Sequence, residues 1–407
     1  MSSHAADSAN RTLAEEEEFR RRLVDKADSI LPVLRANARD ADANNRLPDA
    51  SLAAMDSIDL FALRAPRRFG GLEADLRTYV DVVAEIGRGC SSAAWITFIS
   101  TATAWIASLF PDDAQRDIFD GHPGTRFIGL LEPSATTKPA DGGYRVTGKW
   151  YYASNCLHAD WGLFSVPLMD DQGEVTAPGV VLIPAKDLPV ETTWFVAGMR
   201  GTGSNAVSVD DVFVPSHRVL ELPRLLQNDV PRERKDEVVY REDFLLTAIL
   251  MVVPPMLGMA RAALDHTVAA VCKGKKINYT FYDASRDAPS VQLALADAAT
   301  EIDTAHVLVR HWADEICAAA RENRAIDPAT RARARSEFGF AIRLCQQAMQ
   351  RLLDVTGAGA FADSNPIQRL WRDFETASRH GLVSPDMARE MYGRSLVGNE
   401  ETITPLV

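Results

Sequence analysis

An excess of basic charge is the first thing this chain lacks. Its 407 residues carry 44 lysines and arginines against 56 aspartates and glutamates, a formal net charge of -12. A surface of that sign repels a phosphate backbone, so no nucleic-acid partner is expected. Cysteine is also sparse. Cys90, Cys156, Cys272, Cys317 and Cys345 are odd in number, far apart and never in CxxC spacing, which gives neither a zinc site nor a disulfide framework. Reduced thiols in a cytoplasmic protein are the simplest expectation. His122, His217, His266, His306 and His311 have no metal-ligand spacing, so no metal is expected either. The N-terminal stretch holds Glu15–Glu18 where an export signal would be basic and apolar. Ser91–Phe110 approaches membrane length, but Ser100, Thr101, Thr103 and Ser108 interrupt it and Pro111 ends it; this reads as a buried core helix, with no membrane span. A dinucleotide fingerprint is missing as well, because GTGSN at Gly201–Asn205 has no βαβ unit around it.

What is present is the mix of an ordinary globular protein, 46% apolar and 25% charged. Residues 1–10 are small and polar, without a period. From Thr12 to Asn44 the spacing of Phe19, Leu23, Ile30 and Leu34 predicts an amphipathic helix. Pro48 opens a short helix through Ile58, Pro66 and Gly70-Gly71 break the pattern, and Tyr79–Ile86 and Ala93–Phe110 continue as buried helices. Near Thr125 the period changes. Phe127–Leu131, Tyr144–Tyr152, Trp161–Val166 and Val180–Ile183 read as strands, with hairpin signals at Asp141-Gly142-Gly143 and Asp170–Gly173. Val207, Val209, Val212 and Val214 follow, with Asp210-Asp211 suggesting a bulge or turn between two short runs. About six strands without intervening helices predict a small antiparallel barrel or sandwich. Residues 226–243 read as a charged linker. Beyond it Val291, Leu295, Ala298, Ile302, Ala305, Val309, Trp312 and Ile316 form a helical seam, matched by Phe338, Ile342, Cys345, Met349 and Leu352. The expected fold is α+β: an N-terminal helical domain over 11–125, a middle β domain over 126–225 and a C-terminal four-helix bundle over 240–400. A ligand would sit where the β segment meets the bundle.

The stretch that draws the chain together is GKWYYASNCLHAD, Gly148–Asp160. An aromatic pair followed by a small hydroxyl residue suits a strand edge lying against a flat ring. Around it, RLPDASLAAMDSIDLFALRAPRRFGG, GLLEPSA, YYASNC, GMRGTGSNAVSVDDVFVP and TGAGAFADSNPIQRLWRD follow one another in an order that resembles the acyl-CoA dehydrogenase fold from about Arg46 to Leu396. That family contains dehydrogenases, which need a glutamate base, and oxygenases, which do not. Eight residues past Asp373 the usual glutamate position holds Gly381, next to His380; the alternative position is Ala248. Neither is a carboxylate able to abstract a proton. KWYYASNCLHADW, SAAWITFISTATAW and RHGLVSPDMAREMYGR resemble instead the oxygenase components of two-component flavin-dependent monooxygenases.

That resemblance implies reduced FMN or FAD delivered by a separate reductase, a C4a-hydroperoxyflavin formed with O2, transfer of one oxygen to a small organic substrate, and a homotetramer. The missing nicotinamide site agrees with an outside reductase. By resemblance, Ser154 accepts from the flavin N5–H and His380 sets a protonation state; Tyr152, two residues before Ser154, is expected on the same side of the strand, where it would flank the ring. Leu131, Glu132, Pro133 and Ser134 line the flavin edge, Lys273 and Lys275 meet its phosphate, and Trp95 and Thr103 face substrate. Plainer readings stand beside these: a strand-end serine, a helix-terminal histidine, an ordinary turn, basic residues at a helix C-terminus, and helix packing. His158 fits the oxygenase pattern and reads as structural. Phenol-hydroxylating members carry a histidine where this chain has Thr103, which points toward a nitrogen or sulfur centre or a polycyclic aromatic from secondary metabolism. The alternatives are a dehydrogenase-like flavoprotein and a non-catalytic scaffold of the same fold.

Overall fold

The computed structural model describes residues 11–132, 134–227, 237–399, 401, 403 and 404. Helix α1 (Leu13–Asn44) begins at a reciprocal cap. The Thr12 hydroxyl accepts from the Glu15 N–H, and the Glu15 carboxylate accepts from the Thr12 N–H at 2.7 Å. Its buried stripe of Phe19, Leu23, Ala27, Ile30, Leu34, Ala38 and Ala41 recurs every three or four residues. After α2 (Asp49–Asp56), this stripe packs on α3 (Leu76–Gly89). Helix α4 (Ser91–Ala107) is buried on nearly every side. Its hydroxyls survive there because Thr97 and Thr101 donate back to the carbonyls of Ala93 and Thr97, at 2.8 and 2.6 Å. Helix α5 (Asp112–Phe119) completes the first helical segment.

The middle segment holds β1 (Phe127–Leu130), β2 (Ala135–Ala140), β3 (Gly143–Ala153), β4 (Trp161–Met169), β5 (Val175–Pro184), β6 (Val190–Glu191), β7 (Asn205–Pro215) and β8 (Val219–Glu221). They form two four-stranded sheets, ordered β1-β4-β5-β8 and β2-β3-β7-β6. The sheets share one core, in which Trp150 stacks on Phe164 with centroids 4.3 Å apart. Three features depart from the sequence reading. The sheets are not wholly antiparallel: β1 pairs with β4 in parallel. The chain crosses to the other sheet for the β2–β3 hairpin and returns in its original direction. The valines from 207 to 214 lie on one continuous strand in place of two short runs, and Asp210-Asp211 form the bulge that the sequence allowed, opposite Thr147. Asp211 adopts φ +53°, and its N–H is held by the Thr147 hydroxyl at 2.9 Å. Strands β2, β6 and β8 carried too little alternation to be read.

The second helical segment runs through α6 (Leu222–Leu226), α7 (Phe244–Val252), α8 (Pro254–Cys272), α9 (Pro289–Arg321), α10 (Pro328–Thr356), α11 (Pro366–Ala377) and α12 (Pro385–Leu396). The proposed linker begins on α6 and ends on a short 3-10 turn at Val238–Arg241; residues 228–236 of it lie outside the described residues. The seam on α9 is buried except at Leu295, which is half-buried, and it meets the buried Phe338–Leu352 stripe on α10. Helices from both ends of the chain share a single hydrophobic core. Their closest crossing joins α3 to α8, where a Cβ on Gly258 would come within 2.1 Å of the Ala84 carbonyl oxygen. Phe244–Cys272 is long and apolar enough to cross a membrane, but 89% of its most apolar window is buried inside the fold.

Candidate active site

Strand β3 delivers its last residues to the site through a break in alternation. Between Trp150 and Ala153 its register with β7 shifts, and Tyr152 takes φ +62°. Tyr152 therefore does not share a strand face with Ser154, as simple alternation predicts. Its ring is exposed and meets Trp194 edge-on at 5.8 Å. Ser154 follows in a tight turn, its N–H donating to the Tyr152 carbonyl at 2.8 Å. Asn155 then adopts φ +72°, a region open to glycine and, among other residues, most readily to asparagine or aspartate. Its side-chain amide donates to the Phe127 carbonyl at 3.1 Å and ties the turn to β1.

Ser154 is buried. The indole N–H of Trp95, from α4, donates to its Oγ at 3.3 Å, and Ser204 Oγ lies 2.7 Å away on the other side. His380, just past α11, meets Trp95 and Phe98 edge-on at 5.7 and 6.4 Å. Its Nδ1 accepts the Leu382 N–H at 3.4 Å, so the proton of the neutral ring stands on Nε2. Desolvation among these rings pushes the imidazole pKa down from 6.5 to about 4. The ring is neutral at pH 7 and offers one N–H donor. Trp95 thus joins Ser154 to His380, two groups that the sequence reading linked only through resemblance.

The loop before β7 supports this centre from behind. Asp373 on α11 is buried and accepts the Met199 N–H at 2.6 Å. Burial raises its pKa to about 6 despite that hydrogen bond. Arg372 pairs with Asp42 of α1 at 3.1 Å and donates to the Ala197 carbonyl, while the Arg200 Nε donates to the Asp42 carbonyl at 2.8 Å. The loop is held between α1 and α11, so the helical segments fix what the strands present. The sequence reading took GTGSN as part of a family-like segment and rejected it as a dinucleotide fingerprint, but it gave Thr202 and Ser204 no part in the site. The signal was there, two small hydroxyl residues two positions apart. Phe98 and Trp194 were also missed.

The other expected residues are not gathered at Ser154. Thr103 is buried where α4 meets β1, and a Cβ on Gly129 would fall 2.2 Å from its Oγ1. Leu131 is half-buried and Glu132 exposed between β1 and β2; Pro133 lies outside the described residues. Ser134 donates to the Lys149 carbonyl at 2.7 Å, which pins the start of β2 to β3. Lys273 and Lys275 are exposed in the segment after α8. His158 is half-buried, and desolvation, then Arg46 and Arg126, lower its pKa to about 4.

The Ser154 hydroxyl, with one acceptor valence still open, the neutral His380 donor and the rings of Trp95 and Phe98 make a chemically coherent set. They fit a flat heterocycle that presents an N–H to Ser154, as reduced flavin does at N5. Among the described residues no cluster of His, Cys, Asp and Glu could hold a metal ion.

Comparison with known proteins agrees. Residues 13–119 match the acyl-CoA dehydrogenase N-terminal domain and residues 250–385 its C-terminal domain. The chain is 32% identical over 393 residues to the FADH(2)-dependent resorcinol hydroxylase, oxygenase component, of Rhizobium sp. (strain MTP-10005), covering 93% of this chain and 95% of that protein. It is 32% identical to the flavin-dependent monooxygenase oxygenase subunit HsaA of Rhodococcus jostii, covering 92% and 98%. Among solved structures it matches XiaF from Streptomyces sp., in complex with FADH2 and glycerol, with a TM-score of 0.90 at 31% identity, covering 96% of this chain and 98% of that one.

Proposed function

The chain belongs to the acyl-CoA dehydrogenase family, among the oxygenase components of flavin-dependent monooxygenases, and from that membership we propose that it oxygenates a small aromatic or heteroaromatic substrate with reduced flavin from a separate reductase. One observation carries the reading: an acceptor at Ser154 and a neutral donor at His380 share Trp95, with no carboxylate at the positions where a dehydrogenase keeps its base. Gly381 follows His380 and Ala248 lies half-buried on α7, so abstraction of a substrate α-proton has no agent there.

Bound reduced flavin supplies the electrons that activate dioxygen. Ser154 holds a proton at the ring nitrogen by accepting from it, and His380 donates from Nε2 toward developing negative charge. Trp95 and Phe98 keep water from the centre, which protects a reactive oxygen species from loss as peroxide. Reduced FAD is favoured over FMN, since the resorcinol hydroxylase is FADH(2)-dependent and XiaF was solved with FADH2. The resorcinol hydroxylase also favours an aromatic ring as substrate. Thr103, buried against Gly129, provides no imidazole for a phenol oxygen, which favours recognition by aromatic walls and keeps nitrogen and sulfur centres in the set.

Lys273 and Lys275 fit a flavin phosphate in charge. They precede a segment in which Tyr279 and Phe281 are fully exposed, and Leu293, Val307 and Phe340 are exposed on α9 and α10. Apolar surface of that extent supports docking of further copies into a homotetramer. A cytoplasmic location accords with a diffusing reduced cofactor.

The test is coupling. With reduced FAD, oxygen and an aromatic substrate panel, Ser154→Ala should lower product per flavin oxidised by about tenfold, as loss of one buried hydrogen bond implies, with hydrogen peroxide rising to match. Unchanged coupling would remove Ser154 from the reaction.

A further inference from the structure

Three hydroxyls behind the site form a line whose ends have fixed polarity. Ser154 Oγ and Ser204 Oγ are 2.7 Å apart, as are Ser204 Oγ and Thr202 Oγ1, and Thr202 Oγ1 lies 2.7 Å from the Met199 carbonyl oxygen. All three side chains are buried. A carbonyl can only accept, so the Thr202 proton goes to Met199. Thr202 then accepts from Ser204, and Ser204 accepts from Ser154. That is the one arrangement in which every link is made, since three hydroxyls have three protons for three links. At the other end the Trp95 indole N–H, which can only donate, occupies one lone pair of Ser154 Oγ at 3.3 Å. Ser154 has spent its proton inward and keeps one lone pair outward.

The anchor is firm. The Met199 carbonyl also receives the Trp194 indole N–H at 3.0 Å and the Thr202 N–H at 3.2 Å, while the Met199 N–H is bound by Asp373. A donor at Met199 or a reversal of the line would break buried hydrogen bonds, and unpaired polar groups are costly in such surroundings.

We propose that Ser204 and Thr202 are positioning residues that make Ser154 an obligate acceptor, so that the site selects the N5-protonated, reduced form of the flavin over the oxidised form. The inference rests on the flavin reading above. Reduced flavin presents N–H at N5 and is satisfied by the outward lone pair. Oxidised flavin presents a lone pair there, and the two lone pairs face each other. An oxygenase fed by diffusion has use for such a filter, because spent flavin leaves and the reduced form enters.

The experiment is equilibrium binding of reduced FAD, under anaerobic conditions, and of oxidised FAD to wild type, Ser204→Ala, Thr202→Val and Thr202→Ser. In Ser204→Ala the Ser154 proton loses its acceptor and turns outward. In Thr202→Val the Ser204 proton is redirected to Ser154, with the same result. Both variants should bind oxidised FAD more tightly, narrowing the preference for reduced FAD by about tenfold, while Thr202→Ser keeps the wild-type ratio. Damage to packing alone would weaken both forms together and leave the ratio unchanged, which would overturn the proposal even where one variant folds poorly. Wild-type protein that binds neither form would overturn the flavin reading itself, and this inference with it.

Discussion

Histidine titrates near neutral pH only where water can stabilise its charge, and His380 is held among Trp95, Phe98 and the Leu382 N–H. With the folded pKa near 4 and the ordinary value at 6.5, the unfolded chain takes up a proton first as pH falls. This contribution to stability is therefore whole above pH 6.5 and is lost as pH drops toward 4. His158 and His306 shift the same way. Asp373, raised to about 6, acts oppositely, stabilising at low pH and losing that effect as pH rises through 6. Replacing one residue separates the contributions. Urea unfolding of His380→Gln across pH 5–6 should show a slope of stability against pH that is shallower than wild type by about 1.1 kcal/mol per unit, most of one proton's worth. An unaltered slope would mean that the imidazole titrates in the folded protein as it does in the unfolded chain. The sequence showed His380 as a neutral-pH proton carrier, but it could not show the desolvation, because Trp95 and Phe98 reach it from a helix far away in the chain.

At the scale of elements, the turn after β3 decides where Ser154 points. The alternation of apolar residues gave the strand, and the stacked Trp150–Phe164 pair follows from it. The positive φ at Tyr152 and Asn155 did not follow, because a bulge depends on what lies across the ladder, here β7. Asn155 carries two burdens, a left-handed backbone and the bond to Phe127. Asn155→Gly keeps the first and loses the second; Asn155→Ala loses both. Denaturant unfolding of the flavin-free protein should rank wild type above Gly above Ala, with Ala below Gly by about 1 kcal/mol. Equal stability of the two variants would show that the backbone is free to relax. Helix α1 was legible end to end from Thr12, and α9 along its seam from Val291 to Ile316, because both carry continuous buried stripes. Strand β2, with the sequence ATTKPA, has neither stripe nor aromatic, and it exists because β3 supplies its ladder.

For the molecule as a whole, order along the chain was the strongest sequence signal: helices, strands, then helices with a seam. What order could not convey is that the two helical segments share one core and that the site loop is clamped between them, Asp42 from one and Arg372 and Asp373 from the other. Those contacts join residues far apart in sequence. The proposed homotetramer can be tested at the apolar residues exposed on α9, α10 and the segment after α8. Sedimentation at micromolar concentration should give a tetramer, and Phe281→Asp should shift it to smaller species; a wild-type monomer would contradict the assembly.

Capture of reduced flavin by this protein, and control of its reaction with oxygen, can be followed in a single experiment. The most direct measurement loads the protein anaerobically with reduced FAD, mixes it rapidly with oxygenated buffer and follows absorbance. A transient species distinct from both reduced and oxidised flavin is expected, long-lived in wild type and at least about tenfold shorter-lived in Ser154→Ala. Direct conversion of reduced to oxidised flavin at the rate seen without protein would contradict that expectation.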